Sequence, residues 1–158
     1  MKRISAKATV YLIDGSNFSR SFWNGGAGGS AGRPMGIAPD TRHRHSLDAL
    51  EAEFLNWLDE ISRLEPLRAS CFRVIFDGGF RPSRSLANPA INVYFSEHES
   101  ADDFLLERAS FMTAEGVRCV IVSNDREIRE KASADGTQSM PCEVFYRLCS
   151  AELKKNSR

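Results

Sequence analysis

Charge of one sign is missing from this chain: 21 Lys and Arg stand against 21 Asp and Glu across 158 residues, a formal net charge of zero. No global basic field announces nucleic acid, so an anionic substrate must be met by local patches. Cysteine is sparse, and Cys71, Cys119, Cys142 and Cys149 show no CxxC spacing, which argues against a zinc site or a thioredoxin-type redox pair. Cys142 and Cys149 lie in a helical pattern, roughly 10 Å apart along its axis, too far for a bridge. The four read as reduced thiols in a reducing, cytoplasmic compartment. No apolar run is long enough to span a membrane, and the basic start of the chain leads into a short run cut by Asp14, unlike a signal peptide. There is no GxxxxGK[ST], which removes a P-loop, and Gly26-x-Gly28 lies too far past the first strand for a dinucleotide fingerprint. A haloacid-type phosphatase would need a second Asp two residues after Asp14, and position 16 is Ser. Internal repeats are absent.

What is present is ordinary globular usage, 42% hydrophobic and 27% charged, in a length suited to one domain spanning residues 1–158. Thr9 to Ile13 reads as a buried strand. Ser46 to Leu64 reads as a helix, with Leu47, Leu50, Phe54, Trp57, Leu58, Ile61 and Leu64 on one stripe, Ser46 as its cap and Pro66 beyond its end. Strands follow at Cys71–Phe76, Ile91–Phe95 and Val117–Val122. Helices follow at 100–114, where Ser100-x-x-Asp103 has capping-box character, and at 126–134, closed by Gly136. A short extended piece at 137–140 precedes a last helix from Pro141. The alternation is α/β, and apolar runs this continuous imply a largely parallel sheet covered on both faces.

The stretch Tyr11-Leu12-Ile13-Asp14-Gly15-Ser16-Asn17 poses the functional question: a buried strand ends on a carboxylate, with another polar acceptor three residues on. Ligands of open parallel sheets bind beyond the carboxyl ends of the strands. Asp14, Asp77 and Asp125 each follow such an end, and Asp102 and Asp103 start the helix after the third strand. Four segments thus send acids toward one edge. Like charges at 4 Å repel by about 4 kcal/mol per pair at an effective dielectric near 20, so a convergent cluster needs a cation or arginines. Oxygen-only donors and few histidines favour Mg²⁺ or Mn²⁺ over zinc, and such a metal can acidify a water and stabilise phosphoryl oxygens. Without it, raised pKa values are expected among the acids. Taken singly, each has a plainer reading: Asp102 and Asp125 as helix caps, Asp14 and Asp77 as turn formers, Asn17 as a cap for the next helix, Ser123 and Asn124 as loop residues.

Four stretches in order, VYLIDGSNFSR, RVIFDGGF, SADDFLLERA and VIVSNDREIREKA, resemble the motifs of YacP-type NYN domains in the PIN-like nuclease superfamily. The resemblance covers most of residues 8–146. It implies a three-layer α/β/α fold with strand order 3-2-1-4-5 and metal-dependent cleavage of RNA phosphodiesters, endonucleolytic in mode, by a metal-activated water. Carried over by position, Asp14, Asp102 and Asp125 are the metal-site acids. Asp77 and Asp103 are auxiliary acids, and Asn17 and Ser123 polar supports, with Ser123 also on the substrate side. The implied partner is RNA, single-stranded or structured, with a ribosome or another RNA–protein complex as a wider setting.

Arg42 and Arg44, with His43 and His45, and the pair Arg81 and Arg84 just after Asp77, supply cations where a phosphate backbone would need them. The alternative for each is a solvated loop residue, and the histidines read as surface residues. Phe22 and Trp23 are candidates for base stacking or for core packing. The segment Gly25–Gly36 is longer and richer in glycine than the family pattern. So many glycines leave little side chain to bury, and a mobile lid or an inert insertion is expected. The near-zero net charge and this segment keep a second reading: a PIN-like module that binds RNA or protein and cleaves weakly or not at all.

Overall fold

The computed structural model describes residues 3–23, 49–80, 87–97 and 99–156. Gly25–Gly36, Arg42, His43, Arg44, His45, Ser46, Leu47, Arg81 and Arg84 lie outside them.

Five strands form one sheet: β1 (Val10–Asp14), β2 (Cys71–Phe76), β3 (Ile91–Phe95), β4 (Cys119–Val122) and β5 (Gln138–Met140). Their order is β3-β2-β1-β4-β5, and every pairing is parallel. The central strands are those with unbroken burial: all of β4 and the last four residues of β1 are buried. The outer strands expose Asn92 and Gln138, as suits edges that face water on one side. Register places Asp14 beside Ile75, and Val10 beside both Cys71 and Cys119.

Helices cover both faces. On one face lie α1 (Gly15–Trp23), α2 (Ala49–Ser62) and α5 (Cys142–Asn156); on the other lie α3 (Ala101–Ala114) and α4 (Arg126–Ala134). The strands alternate between them. Tyr11 and Ile13 join an aromatic core with Phe18, Phe54, Phe72, Phe76 and Phe145, whereas Leu12 and Ile75 join an aliphatic one with Leu105, Ala109 and Ile121. Phe18 is the hub of the first core, 4.8 Å from Phe54, 5.5 Å from Trp57 and 6.1 Å from Phe145 between ring centres. Small alanines at 101 and 109 let α3 lie close on the second.

The boundaries differ from the sequence reading in instructive ways. Asp14 is the last residue of β1 itself. The long helix ends at Ser62, and a separate 3₁₀ turn, Glu65–Leu67, carries Pro66 in its first turn, where a missing N–H costs nothing. Helix α1 begins directly after β1. Gly15, Ser16 and Asn17 are weak helix formers, but the Asp14 carboxylate accepts the Asn17 N–H at 3.1 Å, and Phe18 docks into the aromatic core. Asp14, not Asn17, therefore starts the helix. Gly15 is required where α1 crosses β2: a Cβ there would sit 2.6 Å from Val74 Cγ1 and 2.7 Å from Phe76 Cε1. All four cysteines are free thiols. Among the described residues, no helix is long and apolar enough to cross a membrane.

Candidate acidic site at the carboxyl edge of the sheet

Period-two alternation puts Asp14 on the same face as Leu12 and its neighbour Ile75, the face that α3 covers. The helix start that follows β3 then brings Asp102 toward it. Asp14 is only 6% exposed. Burial pushes its carboxyl up to about 6, with the charges of Asp77 and Asp102 adding to the rise, against the Asn17 amide and Arg20, which lower it. Asp102, half-buried at the first turn of α3, is also raised, by burial first and then by Asp125, Asp77 and Asp103. Asp14 thus feels two of the other acids and Asp102 three, and the expected rise is present at Asp14 and Asp102.

Each acid is held by its own local device. Asp125 caps α4, its Oδ1 accepting from the N–H groups of Glu127 at 2.9 Å and Ile128 at 3.4 Å. The capping reading and the site reading are both satisfied, since one oxygen serves the helix. Ser100 caps α3 by accepting the Asp103 N–H at 3.1 Å, which fixes the turn bearing Asp102 and leaves the Asp103 side chain exposed. Asp77 is exposed, and its backbone N–H donates to Ser16 Oγ at 2.8 Å, tying the end of β2 to the start of α1.

Two polar residues serve as supports. Ser123 is fully buried and its Oγ accepts the Asp125 N–H at 3.1 Å. With no exposed surface, it shapes the loop that carries Asp125. Asn17 spends its N–H on Asp14, and its Oδ1 faces the Cys142 thiol at 3.8 Å. That thiol is pushed up to about 12, chiefly by burial and then by the charge of Asp14, so it stays a neutral donor.

Among the described residues, no three His, Cys, Asp or Glu side chains stand close enough together to hold a metal ion. The acids share one field without forming a closed cage. Their chemistry, all oxygen donors under mutual repulsion, fits a hard divalent cation better than a soft one.

Several contributors escaped the sequence reading. Ser16 is a buried tie between two acid-bearing loops. Arg20, one helical turn after Ser16, is the cation that offsets Asp14. Asn124 accepts the Cys142 N–H at 2.9 Å and donates to Ser21 Oγ at 3.1 Å, joining α5 and α1 behind the site. Arg129, one turn beyond Asp125, buries an Nε that has no hydrogen-bond partner. Only the Ser16–Arg20 spacing on one helix face offered a signal, and it was hidden while α1 itself was unread. At the opposite end of the sheet, a cavity of about 640 Å³ is lined by Arg3, Arg118, Tyr11 and Val144 among others and by no acidic residue.

No protein-family model and no curated protein matches the sequence. Two solved structures of Rae1 (YacP) from Bacillus subtilis match the fold. One, a tryptophan-to-leucine mutant, has a TM-score of 0.63 at 13% identity, covering 92% of this chain and 77% of that one. The other has a TM-score of 0.65 at 12% identity, covering 94% and 78%. The five-stranded parallel sheet in the order 3-2-1-4-5, with its helical layers, is thus the α/β fold that this chain shares with Rae1 (YacP).

Proposed function

We propose that the chain is a metal-dependent ribonuclease that hydrolyses RNA phosphodiesters, with Asp14, Asp102 and Asp125 as the acids that would hold Mg²⁺ or Mn²⁺ and Asp77 and Asp103 at the border. The observation that carries this reading is the mutual electrostatic action of carboxylates from four separate segments at the carboxyl edge of the sheet, one of them nearly buried. A fold gains nothing in stability from such crowding. The resemblance to YacP-type NYN domains in motif order, and the likeness in fold to Rae1 (YacP), support the same class.

When bound, the cation would neutralise the cluster, acidify a water and offset charge on the phosphoryl oxygens. The chain's own residues do the positioning. The Asn17 N–H orients the Asp14 carboxylate, the first N–H groups of α4 orient Asp125, and Ser16 fixes the loop of Asp77. Asp14, raised to about 6, is still largely ionised at neutral pH, so its carboxylate would be available to a hard cation. RNA, alone or in a larger RNA–protein complex, is the proposed partner, with Arg42, Arg44, Arg81 and Arg84 proposed for its phosphates, in a cytoplasmic setting.

The test is single-turnover cleavage of single-stranded RNA with Mg²⁺ or Mn²⁺ and with chelator, for the natural chain and Asp14→Asn. Metal-dependent cutting that the substitution removes supports the reading; equal rates throughout would leave a binding module. One observation favours that second reading, namely the lack of a three-donor cluster among the described residues, and it predicts RNA binding that neither metal nor Asp14 affects.

A further inference from the structure

Phe80 is 70% exposed, the most exposed large hydrophobic among the described residues. It lies three residues beyond Asp77, whose charge acts on both Asp14 and Asp102. Its ring meets Phe95 edge-to-face, 5.6 Å between centres and 79° between planes. That contact anchors the ring while leaving most of it open to water.

The backbone beneath is held firmly. Asp77 N–H donates to Ser16 Oγ at 2.8 Å, Gly78 N–H to Ser96 Oγ at 3.1 Å, Glu97 N–H to the Gly78 carbonyl at 2.8 Å, and Ser96 N–H to the Phe76 carbonyl at 3.0 Å. Gly78 has a φ of 95°, a conformation that favours glycine. The exits of β2 and β3 are therefore laced together up to Gly78, two residues before Phe80.

An exposed aromatic ring on a loop beside an acidic site has two plausible partners. A protein partner would need a contiguous apolar patch, and the residues leading to Phe80 are Asp77, Gly78 and Gly79. A nucleobase needs one ring face only, and every base can stack on it. We infer that Phe80 stacks one unpaired base of the substrate and so seats the adjoining backbone at the acidic edge. This rests on the ribonuclease reading above and adds to it a substrate-contacting residue.

The test uses a short fluorescein-labelled single-stranded RNA and fluorescence anisotropy, with Asp14→Asn present throughout to suppress cutting. Phe80→Ala is expected to weaken binding about tenfold or more. Phe80→Trp is expected to restore it, and Phe80→Leu, apolar but not aromatic, is not. An abasic site that weakens binding to the Phe80 protein should bring no further loss with Phe80→Ala. In the cleaving protein, Phe80→Ala should raise KM and leave kcat within a few-fold, because the stack persists through the reaction. Thermal melting confirms that each variant folds. Equal binding by Phe80 and Phe80→Ala, or full rescue by Leu, overturns the stacking role. If Asp14-dependent cutting is nevertheless seen, the ribonuclease reading survives that failure. If the natural chain neither binds nor cuts RNA, both fall.

Discussion

The two ends of the parallel sheet are built on opposite rules. At the amino end, polar groups are matched. Thr9 Oγ1 donates to the Lys7 carbonyl at 2.8 Å and accepts from Arg118 Nε at 3.0 Å. Ser70 Oγ accepts the Thr9 N–H at 3.0 Å and donates to the same Lys7 carbonyl at 3.3 Å. At the carboxyl end, like charges face one another, and burial and repulsion push Asp14 and Asp102 upward. One end resolves its polar groups within the chain; the other leaves them in conflict until something else arrives. Conflicts of this kind gather at functional sites, because selection for stability alone would remove them.

The largest expected effect breaks the comparison at the carboxyl end. Asp14→Asn should lower single-turnover RNA cleavage by at least about a hundredfold, the scale of several kcal/mol of lost metal-assisted stabilisation. Metal affinity, followed by calorimetry, should fall with it. An Asp14→Asn protein that cuts at the natural rate would reduce the acidic edge to a structural curiosity.

Next comes stability, with the opposite sign. Asp14 titrates near 6 in the folded chain and near 3.8 otherwise. Below the lower value the carboxyl is protonated in both states and costs nothing. As pH rises through the upper value, the folded state must carry the buried charge, and stability is lost. The shift corresponds to about 3 kcal/mol. Denaturant unfolding without metal should therefore find Asp14→Asn more stable than the natural chain at neutral pH, by up to about that amount. The gap should close toward pH 4 or when a divalent cation is added to the natural chain. A pH-independent gap would mean that Asp14 carries no such burden.

At the amino end, Thr9→Val should do the reverse. The shape is kept, but Arg118 Nε and the Lys7 carbonyl each lose a partner, at a cost of about 1–3 kcal/mol in unfolding free energy, with cleavage unchanged. Loss of cleavage in a stably folded Thr9→Val protein would show that the two ends are coupled. The smallest effect sharpens the contrast between buried and exposed charge. Glu127 and Lys131 form an exposed i,i+4 pair of 3.1 Å on α4, and Glu127→Gln should lower stability only slightly, a difference that salt should erase in chemical denaturation.

Much of this contrast could be read in the chain because it is written in local pattern. Apolar runs that stop at Asp14 and Asp77, and a run that stops two residues before Asp125, mark strand ends, and parallel pairing does the rest. Ser100 could be read as a cap because its partner is only three residues away. Contributions that depend on distant partners could not. Helix α1 begins with poor helix formers and owes its existence to Asp14 and to Phe18 packing on Phe54 and Phe145. Ser16 matters through an amide 61 positions away. Ser123 looks like any loop serine until its burial is seen. Phe80 follows two glycines in a loop, and the lacing two residues before it depends on Ser96 and Glu97 from another strand exit.

The central position of β1 also governs when the acidic edge can exist at all. Of the five strands it is made first, yet its neighbours in the sheet are β2 and β4, with Val10 set beside Cys71 and Cys119. Closing such long loops is entropically slow, and a strand cannot be locked in place before both flanks are available. During synthesis Asp14 is made early and placed late. The acidic edge is therefore a property of the assembled sheet and of no shorter piece of the chain that lacks the segments of Asp77, Asp102 and Asp125.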